Sequence, residues 1–95
     1  MAAPLDPRHL QGLLGTAGKR LAYQPQGREA VARVRAAHSP RELRALLEGY
    51  DLGLDPPARD AIIGAAGDAS RWEEVHATLV RAAEQSLAER FDSGA

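Results

Sequence analysis

The longest stretch of the chain without glycine or proline is Ser70–Phe91 (SRWEEVHATLVRAAEQSLAERF). Its apolar residues Trp72, Val75, Leu79, Ala83, Leu87 and Phe91 recur every three or four positions, a spacing that lines them up along one face of an α-helix. Ser70 and Glu73 have the spacing of a capping box, in which the hydroxyl accepts from the Glu73 amide and the carboxylate reaches back. Arg81 and Arg90 fall late in the stretch, toward the helix end that favours cations. One long helix with one apolar stripe cannot stand alone, so the rest of the chain has to cover it. Trp72 leads the stripe and is expected to pack in the core.

What covers it is helical as well. The 95 residues include 19 Ala, only six Val and Ile together, and four aromatics, so strand-forming side chains are scarce and helix propensity is high. The fold class is all-α, one domain spanning 1–95 with 1–5 and 92–95 expected as flexible tails. About 22 large apolar side chains remain once Ala and the initiator Met are set aside. That is enough for one modest core and too few for a deep catalytic cavity besides.

The first helix is expected to start at Asp6-Pro7, with the carboxylate at the cap and proline in the first turn. It carries Leu10, Leu13, Leu14, Ala17 and Leu21. Gly12, Gly15 and Gly18 recur within it and each weakens it by about 1 kcal/mol relative to Ala, so it is expected to fray or break near Gly18. A turn at Tyr23–Gly27 leads to a short helix over Arg28–Ala37, with Val31 and Val34 inward and Glu29 paired with Arg33. Ser39-Pro40-Arg41-Glu42 is the strongest local start signal in the chain. It opens a helix that buries Leu43, Leu46 and Leu47 and ends at Gly49. Tyr50–Leu54 is read as a loop, and Asp55-Pro56-Pro57 as the start of a fourth helix carrying Ile62 and Ile63 and ending near Gly67. Five helices with short connections make a small bundle or an orthogonal array.

Motifs that carry chemistry are missing or incomplete. Gly12–Arg20 (GLLGTAGKR) has Leu13 where a phosphate-binding loop needs glycine and Arg20 where it needs a hydroxyl, and no strand precedes it. Asp51–Asp55 lacks the middle carboxylate of a calcium loop, and Ile62 stands where its bidentate Glu belongs. Read as a helix-turn-helix, the third and fourth helices would place Asp55 and Asp60 in the groove, where they repel phosphate. His9, His38 and His76 stand apart. Glu73 lies at ligand spacing from His76, but bundle metal sites need further inward carboxylates. The absence of cysteine removes thiol chemistry and cysteine-ligated zinc. The expectation is a protein that is not an enzyme and needs no cofactor or metal.

Val34–Ile62 (VRAAHSPRELRALLEGYDLGLDPPARDAI) is similar, in its succession of capped helices, to leader segments of the nitrogen-fixation-associated precursor-peptide family. The resemblance covers roughly a third of the chain. The double-glycine cleavage site and the Cys- or Ser/Thr-rich core peptide that the family implies are absent from these 95 residues, so membership is not inferred.

Charge is divided unevenly. The formal total is −1, with a basic first half and an acidic second half. Arg28, Arg33, Arg35, Arg41 and Arg44, with His38 among them, crowd into seventeen residues. The expected function is a small protein–protein interaction module, an adaptor, accessory subunit or regulator, whose partner contacts include Arg28, Arg33, Arg35, Arg41, Arg44 and Trp72. The alternative is a nucleic-acid-binding accessory protein using the Arg28–Arg44 surface, although no aromatic residue interleaves with those arginines. With no signal peptide or membrane-length apolar run in view, the expected setting is soluble and cytoplasmic, and eleven Arg to one Lys with so much Ala points to a GC-rich bacterial genome. The charge division also suggests a homodimer, through the Gly12/Gly15 face or a flank of the last helix, that pairs each half with its opposite.

Overall fold

The computed structural model describes residues 7–92. They form an all-α bundle of five helices: α1 Pro7–Ala22, α2 Gly27–Ala36, α3 Pro40–Gly49, α4 Pro56–Ala66 and α5 Trp72–Asp92. The expected Asp6 cap and the expected tails, apart from Asp92 at the end of α5, lie outside the described residues.

The principal packing pair is α1 with α5, and the two helices run parallel. Leu10 and Leu14 lie beside Arg71, Glu74, Val75 and Thr78, and Gly18 lies against Ala82 and Ala83. The Ala22 carbonyl is reached by Arg90. α1 does not break at Gly18: it is continuous to Ala22. A Cβ at Gly18 would sit 2.7 Å from the Ala83 nitrogen and 2.9 Å from the Ala82 Cβ, whereas nothing lies within 4 Å of one placed at Gly12 or Gly15. The three glycines therefore divide into one that lets two backbones meet and two that face open space.

α2 runs back along α5, with Arg35 Nη2 donating to Glu84 Oε2 at 2.6 Å and His76 Nε2 donating to the Val34 carbonyl at 2.7 Å. The carbonyl can only accept, so that ring nitrogen carries a proton. α3 and α4 pack on each other, and α4 also reaches α1 and α5. The common core joins Leu14, Leu21, Val34, Leu43, Leu47, Ile62, Val75 and Leu79. Leu52, in the loop before α4, joins it too. The Asp51 side chain accepts from the Gly53 amide, and Gly53 adopts φ +63°, a backbone state that glycine tolerates best. That turn carries Leu52 inward.

The α3 start forms as expected, with a small shift: Ser39 accepts from the Glu42 amide, and Glu42 accepts from the His38 amide at 2.6 Å, one residue before the cap. The box expected at Ser70 does not form. Ser70 donates instead, through its hydroxyl at 2.7 Å and its amide at 2.9 Å, to Asp68 Oδ1, and Val75 bonds to the Arg71 carbonyl, so Arg71 rather than Ser70 stands at the cap position of α5. Backbone bonds from Arg71 and Trp72 to the Asp68 carbonyl start the turn into α5.

The Ser70 hydroxyl bond, then the Ser70 amide bond, hold the Asp68 carboxyl below its ordinary value of 3.8, with Arg71 adding a smaller pull. A depressed folded-state value means that the contribution is present above the unfolded value and is lost as pH falls through the folded one. Asp68→Asn is therefore expected to flatten the acid limb of the stability profile below about pH 4 and to leave its shape near neutrality unchanged. Urea midpoints measured against pH check this. An acid limb identical to wild type would show that the turn does not depend on the carboxylate.

Trp72 is half-buried at the margin of the core. Its ring stacks on His76, with centroids 5.1 Å apart and planes 24° from parallel. Phe91 departs from its expected place on the buried stripe. It is 43% exposed, because the stripe runs past the last residues of α1 and α2 available to cover it.

Candidate interaction surface at the end of the bundle

Where α1 ends, α2 begins and α5 ends, three helix termini bring unpaired backbone groups together. The last carbonyls of a helix have no partner within it. Here Arg90 supplies one, its Nη1 donating to the Ala22 carbonyl at 2.8 Å and to the Gln24 carbonyl at 2.6 Å. The cation also meets the negative end of the α1 dipole. Room for it depends on Gly27, where a Cβ would lie 2.1 Å from the Ala22 oxygen and 2.9 Å from Arg90 Nη1. Gln24 ties the neighbouring loop to the same corner, its Nε2 donating to the Asp51 carbonyl.

Two aromatic rings flank the fixed guanidinium. Its carbon lies 5.8 Å from the Tyr23 centroid and 5.0 Å from that of Phe91, and Arg28 lies over Phe91 at 4.2 Å. Tyr23 is 48% exposed; among the described residues it and Phe91 are the exposed large hydrophobic side chains. Tyr23 also borders an open cavity of about 450 Å³, together with Thr16, Lys19 and Arg20. Cations and rings thus alternate around one end: Lys19 and Arg20, Tyr23, Arg90, Phe91, Arg28. Such contacts add about 0.5–1 kcal/mol each at exposed sites and hold the guanidinium groups in place.

The arginines singled out by the sequence do not share one surface environment. Arg33 pairs with Glu29 at 2.8 Å, Arg35 with Glu84 at 2.6 Å and Arg44 with Glu48 at 3.0 Å, all with exposed side chains. Arg41 is exposed and has no ion pair among the described residues. Arg28 joins the aromatic end, and Trp72 lies at the opposite end of α5. Arg33 also borders a shallow depression between α2 and α3, floored by Ala36, Ala37, Ala45 and Leu46. Sequence reasoning missed Tyr23, Arg90, Lys19 and Arg20 as members of one surface: Lys19, Arg20 and Tyr23 are neighbours at the end of α1, and Arg90 joins them only through the parallel pairing of α1 and α5.

Among the described residues there is no group of three or more His, Cys, Asp or Glu that could hold a metal ion, and no helix is long and apolar enough to cross a membrane. Comparison with protein-family models, with curated proteins and with solved structures finds no match for the chain.

Proposed function

We propose that the protein is a small non-catalytic protein–protein interaction module whose contact surface is the Tyr23–Phe91 end of the bundle. The observation that carries this reading is the meeting of two exposed rings, 68 residues apart in sequence, around a guanidinium fixed by backbone carbonyls. Aromatic and Arg side chains are the residues most enriched among energetic anchors of protein interfaces. A preorganised cluster also loses less side-chain entropy on binding than a loose one. The small core and the absence of a catalytic motif in the sequence support the same reading.

The nucleic-acid alternative, resting on Arg28–Arg44, has less support, because Arg33, Arg35 and Arg44 already face carboxylates. A binding titration against duplex and single strands across salt concentrations tests it, since phosphate-driven affinity falls steeply with salt. For the interaction reading, a photo-crosslinking residue is placed at Phe91 or, as control, at exposed Ala77, and irradiated in the source cells. A discrete crosslinked protein from Phe91 and not from Ala77 is expected. No product, or the same products from both positions, overturns the reading.

A further inference from the structure

Building on the interaction-module reading, we propose that the cation–aromatic end docks an acidic peptide segment in which carboxylates alternate with apolar side chains. Arg28 supplies the first reason. Unlike Arg33, Arg35 and Arg44, it has no carboxylate partner among the described residues, and its guanidinium lies 4.2 Å over the Phe91 ring. Contact with the ring restrains the group and leaves the N–H donors at its edge without a partner among the described residues. A carboxylate accepts from such an edge through two parallel bonds.

The second reason lies beside Tyr23. Lys19 and Arg20 border the open cavity there and also lack ion-pair partners among the described residues. Two cationic points are thus separated by exposed rings. A ligand that matches both points has negative charges separated by apolar groups. Arg90 stays committed to the Ala22 and Gln24 carbonyls and acts as a positioning residue for the rings.

A single-stranded nucleic acid would also bring negative charge and flat apolar groups. It fits less well, because the Phe91 ring already has two guanidinium carbons within 5.0 Å of its centroid. A base stacking on Phe91 would compete with these cations for the ring, whereas a carboxylate adds to them. The net charge of −1 likewise offers no broad positive field to a phosphate chain.

The test is a titration of the isotopically labelled full chain, followed by amide NMR shifts, with three probes. These are a synthetic peptide alternating Glu or Asp with Leu or Phe, the same peptide with Gln and Asn replacing the acids, and an oligothymidylate of matched length. The acidic peptide is expected to move the amides of Lys19–Tyr23, Arg28, Arg90 and Phe91, with affinity falling as salt rises. Arg28→Glu is expected to weaken it about tenfold or more with the dispersion of the spectrum unchanged. Absence of shifts, equal shifts from the neutral peptide, or tighter binding of the oligonucleotide overturns the proposal. Crosslinks from Phe91 without acidic-peptide binding would leave the interaction module standing and remove only this choice of partner chemistry. Failure of both would remove both.

Discussion

Gly18→Ala is expected to destabilise the fold by about 2–3 kcal/mol, while Gly12→Ala and Gly15→Ala each stabilise it by about 0.5–1 kcal/mol. All three changes add one methyl group to the same helix, so intrinsic helix propensity favours each equally. The difference lies in what the methyl meets. At Gly18 it meets the Ala83 nitrogen and the Ala82 carbonyl carbon, at 2.7 and 3.0 Å. These are backbone atoms that cannot turn aside as a side-chain tip can, so α1 and α5 have to separate. Separation loosens Leu14, Leu21 and Leu79, all buried on the same seam. For a domain of this size, 2–3 kcal/mol is a large share of the total stability. Equilibrium urea unfolding of the three variants decides the matter. Gains at all three positions would show that α1 and α5 do not approach as described.

Arg90→Met is expected to cost about 2–3 kcal/mol, in the range of a hydrogen bond to a charged group with its partners left unsatisfied. Methionine keeps much of the apolar stem and removes the donors, so the Ala22 and Gln24 carbonyls lose the bonds that close the end of α1. Arg90→Lys keeps the charge and loses the planar fork, so it is expected to fall between Met and wild type. The denaturant midpoint should drop with its slope unchanged. A change below about 0.5 kcal/mol, the ordinary range for surface substitutions, would show that water replaces the guanidinium at no cost.

The parts of the fold legible in the sequence are those whose causes lie within a few residues. Ser39, Pro40 and Glu42 specify a helix start from side chain to neighbouring amide, and the start forms, with only the second acceptor bond displaced to His38. The α5 stripe is legible because helical periodicity places Val75, Leu79 and Ala83 together whatever they pack against. The failures have causes that spacing does not show. At Ser70, the Asp68 turn starts α5 one residue later, so Arg71 takes the cap position that spacing alone assigns to Ser70. Leu52 looks like a loop residue until the positive φ of Gly53 turns it inward.

The candidate site was less legible still. Which glycine of three marks a helix crossing depends on where α5 passes, a question of tertiary geometry. Phe91 fits the apolar stripe by period, yet its neighbours end before it does. Tyr23 sits in a polar turn and Arg90 in a helix end, and only the direction of α1 relative to α5 makes them neighbours. Arg28 was singled out with four other arginines for its charge, and the structure separates it from them by its contact with a ring.

The central claim is that Tyr23 and Phe91 stand on the surface for a partner and contribute little to holding the bundle together. Urea unfolding of the double variant Tyr23→Ser/Phe91→Ser tests that claim directly. The expected result is a loss no greater than about 3 kcal/mol, the sum of three exposed cation–ring contacts. A loss above about 3 kcal/mol, the range of a truncated core aromatic, would contradict the account by showing that the rings belong to the core.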